Sequence, residues 1–126
     1  MNRDKVTEDR KKLGDFGEEM AKKYLINKGY TICHEKFRCP RGEIDLIAKN
    51  QDDLVFIEVK TRRSLRFGEP FESVDIRKQK KMIKLAQYYM NYYKISQVNV
   101  RFDVVSVLLD ESWDVKEIKL IENAFY

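Results

Sequence analysis

The sequence predicts an α/β fold in which a mixed β-sheet is flanked by helices, in the order helix, three strands, helix, strand, strand. Two observations predict this class. Apolar residues recur at helical spacing in two segments, and short runs rich in β-branched and aromatic residues lie between and after them. A chain of 126 residues with 43% hydrophobic residues is long enough to bury one core, so a single domain is expected.

The first predicted element is a helix that begins at Gly14. Its apolar residues fall at helical spacing. Gly29 ends it, because glycine readily takes the left-handed conformation that follows many helices. Residues 1–12 are nearly all polar and are expected to form a charged flexible leader, ahead of a single domain at residues 13–126.

Three strands are predicted next, over Tyr30–Phe37, Glu43–Ala48 and Leu54–Thr61. The polar residues 49–53 between the second and third strands indicate a short turn, and therefore an antiparallel hairpin. Residues 62–72 contain glycine and proline and are expected to form a loop.

The longest helix is predicted from about Val74 to Tyr93, followed by strands over Val98–Leu109 and Val115–Ile121. A strand, a long helix and another strand predict a right-handed parallel crossover, so the sheet joins an antiparallel meander to a parallel strand. Tyrosines in the second half of this helix are either core residues or base-stacking residues. They are Tyr88, Tyr89, Tyr92 and Tyr93.

The third predicted strand, LVFIEVKT, carries two charged residues in an otherwise apolar run. Glu58 and Lys60 are two residues apart, so their side chains lie on one face of the strand, roughly 7 Å apart. Burying an unpaired charge costs several kcal/mol, and such residues therefore need a partner or a metal ion.

Asp45 is the second polar interruption, in the strand segment GEIDLIA. A hairpin that turns near Gln51 places Asp45 opposite Ile57 or Glu58, where one hard cation can bridge Asp45 and Glu58. A register slip of one residue would instead move Asp45 to the other face of the sheet.

Two carboxylates and a lysine in this arrangement suit phosphodiester hydrolysis. Mg²⁺, with Mn²⁺ as a substitute, takes oxygen ligands, polarises a phosphoryl oxygen and supplies a hydroxide. A lysine holds the attacking water and offsets negative charge on the phosphate. The same spacing also fits an ordinary ion pair between Glu58 and Lys60, so both interpretations stay open at this point.

Further candidates surround these residues. Glu18, on the first helix, is either a third metal ligand or a solvated glutamate. Lys78 and Gln79 either contact phosphate and the attacking water or lie on a basic helix surface. Asp103 either supports the site or pairs with Arg101. Arginines in the neighbouring loops suit phosphate contacts, although a solvated basic loop has the same composition. These are Arg38, Arg41, Arg62, Arg63 and Arg66.

Composition and motifs narrow the function classes. The formal net charge of +4 permits contact with phosphate backbones without requiring it. The absence of a signal-peptide pattern and of a long apolar stretch predicts a cytoplasmic protein with reduced thiols and no membrane partner. Cys33, Cys39 and His34 do not match a zinc-binding pattern. Neither a glycine-rich phosphate loop nor a nucleophile elbow is present.

A series of motifs from Gly14 to Phe125 resembles the bacterial YraN family, which is uncharacterised in function but predicted to be endonuclease-like. The motifs are GDFGEEMAKKYLINKGY, RGEIDLIAK, LVFIEVKTR, SVDIRKQKKMIKLAQYY, VRFDVVSV and IENAF. The resemblance implies the restriction-endonuclease-like fold of the PD-(D/E)xK superfamily, with an αβββαβ core. Archaeal Holliday-junction resolvases have a similar short domain.

The resemblance also implies residue roles. Asp45 matches the motif aspartate, and Glu58 and Lys60 match the (D/E)xK pair. Glu18 matches the helix-one glutamate that some resolvase-like members use as a further metal ligand. Gln79 lies where some members place a catalytic glutamine or lysine. The implied site is therefore a Mg²⁺ centre that acts on nucleic acid.

The leading hypothesis is a metal-dependent endonuclease that hydrolyses DNA, with selectivity for branched DNA in repair or recombination as one form of it. The alternative is a non-catalytic nucleic-acid or protein binding module on a nuclease fold, in which the basic helix and the arginine loops bind the partner. The sequence does not separate DNA from RNA cleavage. A symmetric substrate would favour a homodimer, although no residue identifies its interface.

Overall fold

The computed structural model describes residues 3–64, 66 and 68–125, in which two helices pack on one five-stranded sheet. The elements are α1 (Arg3–Asn27), β1 (Thr31–Cys39), β2 (Gly42–Asn50), β3 (Asp53–Arg62), α2 (Ile76–Tyr92), β4 (Asn99–Leu109) and β5 (Val115–Phe125). A single 3₁₀ turn at Pro70–Ser73 precedes α2, inside the predicted loop. The predicted mixed sheet flanked by helices is confirmed.

The strands lie side by side in the order β1-β2-β3-β4-β5. The first three form an antiparallel meander. β4 then runs parallel to β3 after the connection through α2, and β5 returns antiparallel to β4. The predicted meander and parallel crossover are therefore both present, and the last strand is longer than predicted because it continues to Phe125.

Each face of the sheet buries one helix. The α1 cluster contains Ala21, Leu25, Leu46, Ala48, Val55, Ile57, Val59, Val105 and Val107. The α2 cluster contains Ile44, Ile47, Leu54, Phe56, Met82, Leu85, Ala86, Tyr89 and Phe102. Alternate residues of β3 therefore face opposite helices, as strand geometry requires. Glu58 and Lys60 consequently lie on the α2 face, and Val59 and Thr61 on the α1 face.

The first helix begins at Arg3 rather than at Gly14, so its predicted start was wrong. Residues 3–12, expected as a charged leader, are helical, while Met1 and Asn2 lie outside the described residues. Sequence pattern misses this part because it is polar all round, without an apolar stripe. In the described part of the chain, neither helix has the length and apolarity needed to cross a lipid bilayer.

The C-terminal end of α1 agrees with the prediction that Gly29 ends the helix. Gly29 has φ 96°, a left-handed conformation that glycine adopts without steric cost. The N–H of Tyr30 donates to the Leu25 carbonyl at 3.0 Å, and the N–H of Gly29 donates to the Ile26 carbonyl at 3.0 Å. This pair of bonds satisfies the last carbonyls of the helix and turns the chain into β1.

The β2–β3 hairpin fixes the register of the predicted site residues. Asn50 pairs with Asp53 across a two-residue turn, and the ladder continues to the pair Leu46–Ile57. Asp45 is the next residue of β2, so it lies beside Glu58 rather than opposite Ile57, which settles the choice that the sequence left open.

Candidate functional site

The two central strands of the meander separate at Asp45, and the candidate site lies at this fork. Beyond the last backbone pair, Leu46–Ile57, the side chain of Asp45 instead of its backbone is bonded to β3. Its Oδ2 accepts a hydrogen bond from the N–H of Val59 at 2.8 Å. Because the strands part here, side chains from both faces of the sheet can approach one another.

Strand β2 also changes its facing direction at Asp45. Ile44 packs in the α2 cluster, whereas Leu46, two residues later, packs in the α1 cluster. Across from Asp45, between the pairs Glu35–Leu46 and Phe37–Ile44, Lys36 has φ 52°. A left-handed residue inside a strand re-aims the side chains around it. The fork is therefore a local irregularity shared by two strands.

Three carboxylates from two elements meet at the fork. Glu18 of α1 and Glu43 and Asp45 of β2 each offer one oxygen, and these oxygens lie within 4.8 Å of one another. Carboxylate oxygens are the ligands that Mg²⁺ and Ca²⁺ prefer. The sequence reasoning missed Glu43, although its position two residues before Asp45 on the same strand was a usable signal.

Two cations of β1 already contact this acidic group. Lys36 pairs with Glu18 and, through Nζ–Oδ1 at 2.7 Å, with Asp15. Arg38 Nε donates to Glu43 Oε2 at 2.9 Å. Burial alone would lower the pKa of Lys36, but its hydrogen bonds to both carboxylates raise it, so Lys36 is firmly charged.

Asp45 is the most perturbed carboxylate of the site. Burial and, next, the negative charge of Glu58 together raise its pKa to about 8, despite the hydrogen bond from Val59, which lowers it. A carboxyl group in this state gains from any cation that approaches it. Strongly perturbed groups in clefts are characteristic of functional sites.

Glu58 and the two lysines form the second half of the site. Glu58 is buried, and its Oε1 lies 3.0 Å from Lys78 Nζ and 3.4 Å from Lys60 Nζ. Burial would lower the pKa of Lys78, but the charge of Glu58 raises it. Asp75 caps α2 by accepting the N–H of Lys78 at 2.9 Å. The capped first turn of α2 therefore holds Lys78 over Glu58.

Gly17 explains how Glu18 reaches the fork. A Cβ at residue 17 would overlap the Thr61 side chain at the end of β3. Only glycine therefore lets the α1 backbone lie directly on Thr61, and the next residue along the helix is Glu18. The close helix–strand approach and the position of the third carboxylate have the same cause.

A cleft of about 540 Å³ opens between α1 and the end of β3, beside the fork. Glu18 and Lys60 line it together with three arginines, Arg10, Arg62 and Arg63. Two of the arginines predicted to bind phosphate, Arg62 and Arg63, thus border the cleft. Arg10 joins them from the helical segment that the sequence predicts as a charged leader.

Two further predicted site residues, Gln79 and Arg41, and one residue that the sequence did not single out, Ser106, are placed as follows. Gln79 Nε2 donates to the Val74 carbonyl at 3.1 Å, so its amide is engaged at the start of α2 and its catalytic role stays a prediction. Arg41 is exposed in the β1–β2 turn, beside α2. Ser106, paired in register with Lys60, has a buried Oγ without a hydrogen-bond partner in the described chain.

Asp103, which the sequence left undecided, belongs to a separate cluster. Arg101 Nε donates to Asp103 Oδ1 at 2.9 Å, and the Tyr30 hydroxyl donates to its Oδ2 at 2.8 Å. Arg101 also donates to Asp53 and Asn50, which flank the hairpin turn at the far end of β3 from Lys60. Asp103 therefore pairs with Arg101 and takes no part in the fork.

The structure also gives the positions of the helix α2 tyrosines, of His34 and of the two cysteines. Tyr89 is buried in the α2 cluster, whereas Tyr88, Tyr92 and Tyr93 are exposed. The two ring nitrogens of His34 contact tyrosine hydroxyls, with Nδ1 2.8 Å from Tyr89 Oη. Both cysteines are free thiols, and within the described residues they form no three-ligand group with the histidine.

Comparison with known proteins identifies one family. The model of a family described as "Uncharacterised protein family UPF0102" matches residues 17–107. A UPF0102 protein of Clostridium acetobutylicum is 47% identical over 115 residues, which cover 91% of this chain and 94% of the relative. Another from Caldicellulosiruptor bescii is 48% identical over 117 residues, covering 91% of this chain and 98% of the relative.

Proposed function

The chain belongs to the uncharacterised protein family UPF0102, and we propose that it is a metal-dependent nuclease that hydrolyses phosphodiester bonds in DNA. One observation carries the proposal. At the fork, Asp45 with its raised pKa lies beside Glu58 and within 4.8 Å of the oxygens of Glu18 and Glu43. Carboxylates gathered this closely repel one another, and a divalent cation relieves that repulsion.

The donor set suits Mg²⁺, with Mn²⁺ as a substitute. Asp45 and Glu18 would hold the ion, together with Glu43 or Glu58, since all four side chains end in hard oxygen atoms. Bound at the fork, Mg²⁺ would polarise a phosphoryl oxygen and lower the pKa of a water molecule. Nitrogen and sulfur ligands are not part of this group.

The lysines supply the positive charge that phosphate chemistry requires. Lys60 lines the cleft, where its ammonium can orient an attacking water and offset charge that develops on the phosphate. Glu58 holds Lys60 and Lys78 from the buried side, so neither ammonium has to be ordered during the reaction. Arg62 and Arg63 at the rim suit contacts with the nucleic-acid backbone.

The test is a cleavage assay with wild-type protein and two site variants, Asp45→Ala and Lys60→Gln. Asp52→Asn, in the exposed hairpin turn, is the matched control. Substrates are single strands, duplex, flaps and four-way junctions of DNA, plus one RNA strand, each with Mg²⁺, Mn²⁺ or EDTA. We expect metal-dependent cutting that falls by about 100-fold or more in both site variants. Cutting that survives Asp45→Ala would refute the metal-site proposal.

A second candidate function is supported by the ion pairs of the fork. Lys36 and Arg38 already neutralise Glu18 and Glu43, and two lysines neutralise Glu58. Such self-neutralised carboxylates also fit a non-catalytic nucleic-acid binding module. Calorimetric titration with Mg²⁺ separates the two, because binding that disappears in Asp45→Ala supports the nuclease, and no binding supports the module.

A further inference from the structure

We propose that the groove between α2 and β1 binds a single-stranded nucleic-acid segment, so that the substrate carries an unpaired strand next to the point of cleavage. This inference rests on the proposed function and adds the substrate class to it. It is carried by two recesses along one stripe of α2, together called the groove: the first is lined by cations, and the second by exposed aromatic rings with Lys36 and Arg38 of β1.

The cationic part of the groove lies along the first half of α2. It is a recess of about 330 Å³, lined by five basic side chains and Leu85. The five are Arg41, Arg77, Lys80, Lys81 and Lys84. All are exposed, and none forms an ion pair with a residue in the described part of the chain. Among the described residues, no acidic side chain lines this recess, so its charge is available to a polyanion.

The cationic part is continuous with the fork. Arg77 and Lys81 also line a neighbouring recess of about 390 Å³, together with Lys78 and with Asp75, whose carboxylate caps α2. Lys78 Nζ lies 3.0 Å from Glu58 Oε1. A strand that follows these cations therefore arrives at the carboxylates and lysines of the candidate site.

The aromatic part begins one helical turn beyond Lys84. Tyr88 and Tyr92 continue the same stripe of α2 at four-residue spacing. Tyr88 is 38% exposed, Tyr92 67% and Tyr93 43%. The three rings line a recess of about 350 Å³ together with residues 34–38 of β1, among them the cations Lys36 and Arg38 and the acidic Glu35. The Phe37 ring of β1 faces them, with its centroid 6.3 Å from that of Tyr88. From Arg77 to Tyr92 the stripe is about 22 Å long.

Cations followed by exposed rings are the pattern by which proteins hold single strands. Phosphates follow the positive charge, and each unpaired base stacks on an aromatic face. In a duplex the bases stack on one another, so the tyrosines would have nothing to bind, and phosphate contacts alone would suffice. A second copy of this chain fits less well, because a symmetric contact would bring two sets of unpaired cations together.

The test is fluorescence anisotropy in EDTA, with a labelled oligothymidine and a blunt duplex of the same length. Lys81→Gln/Lys84→Gln removes groove charge, and Lys23→Gln/Lys116→Gln removes the same charge from exposed positions elsewhere. Tyr88→Leu/Tyr92→Leu removes the rings, and the corresponding double phenylalanine variant keeps them. Thermal melts check that each variant is folded.

We expect single-strand affinity to fall at least tenfold in the leucine variant, with duplex affinity unchanged and the phenylalanine variant close to wild type. The groove lysine variant should lower the slope of log affinity against log salt by about 1.5, and the Lys23/Lys116 control should not.

Three results would overturn the inference. One is equal binding of duplex and single strand with no effect of the leucine substitutions, which would leave a phosphate surface only. Another is a shift from dimer to monomer in sedimentation of the leucine variant, without a change in DNA binding. The third is no binding of either oligonucleotide. The proposed nuclease activity is decided separately, by metal-dependent cleavage in the Asp45→Ala comparison.

Discussion

Asp103 and Asp45 both lie in strands of the same sheet, but their neighbours differ: those of Asp103 compensate its negative charge, and those of Asp45 do not. Asp103 is fully buried and accepts four hydrogen bonds, from Tyr30, from two nitrogens of Arg101 and from the N–H of Asn123. In the described chain, Asp45 accepts one hydrogen bond, from Val59, and has further carboxylates as neighbours.

This difference distinguishes a charge that the fold already compensates from one that it leaves uncompensated. Arg101 compensates Asp103 directly, so that cluster has no use for a ligand. Asp45 retains an electrostatic penalty, seen in its raised pKa, that only an added proton or cation removes. A buried charge is therefore informative about function only after its partners have been counted.

The largest expected effect is on the Asp103 cluster. Asp103→Ala leaves the partly buried Arg101 without its main partner, so the free energy of unfolding should fall by about 3–5 kcal/mol. Urea denaturation measures it, with Asp52→Asn as the control. If Asp103→Ala costs less than about 1 kcal/mol, the cluster is not the self-sufficient structural element described here.

The second effect concerns the approach of α1 to β3. Gly17→Ala should destabilise the protein by about 1–3 kcal/mol, because the new methyl group meets the Thr61 side chain. Gly14→Ala, on the same helix and with no atom of the described residues within 4 Å of the added Cβ, should instead stabilise by about 0.5–1 kcal/mol. Thermal unfolding of the pair is the measurement. Equal effects of the two substitutions would contradict the close approach.

The third effect has the opposite sign and depends on pH. The pKa of Asp45 is about 8 in the folded chain against an ordinary value of 3.8, so the folded state holds its proton more tightly. The carboxyl group therefore costs stability as the pH rises from about 4 to 8, and the cost is constant above that range. In EDTA, Asp45→Asn should stabilise the protein by on the order of 1–2 kcal/mol at pH 8 and not at pH 4. Urea unfolding at both pH values tests this, and a destabilised Asn variant at pH 8 would contradict it.

The smallest effect concerns Lys36, the counterpart of Arg101 at the fork. Its side chain is 37% exposed, so Lys36→Gln should change the free energy of unfolding by about 0.5 kcal/mol or less. The same substitution should tighten Mg²⁺ binding several-fold, because it frees Glu18 from a competing cation. Calorimetry measures the affinity. Lys22→Gln, which breaks pairs with Glu19 and Glu35 away from the fork, should leave it unchanged.

The positions of the strands and the β2–β3 hairpin could be predicted from the sequence because they follow from local signals. Alternating burial, the polar turn and Gly29 each act within a few residues. The start of α1 could not be read in this way. Its first turns carry no apolar stripe, and the Glu8–Lys12 pair that supports them is too weak to be recognised from pattern alone.

The candidate site was predictable as a set of residues but not as a set of contacts. Asp45, Glu58 and Lys60 stand out because they interrupt apolar strands. The pairing of Glu58 with Lys78 and of Glu18 with Lys36 depends on packing between distant elements, as does the assignment of Asp103 to Arg101. No spacing rule encodes such long-range partners, and Glu43 was missed although it lies beside Asp45.

The Arg101 cluster also has a consequence for the order of folding. The β2–β3 hairpin is closed by a two-residue turn and can form early, from local contacts. Arg101 comes much later in the chain and reaches back to Asn50 and Asp53, the two residues on either side of that turn. Docking of β4 therefore locks the hairpin in one alignment. A hairpin slipped by one residue would leave Arg101 without these acceptors, so the contacts made by β4 favour the alignment that brings Asp45 beside Glu58.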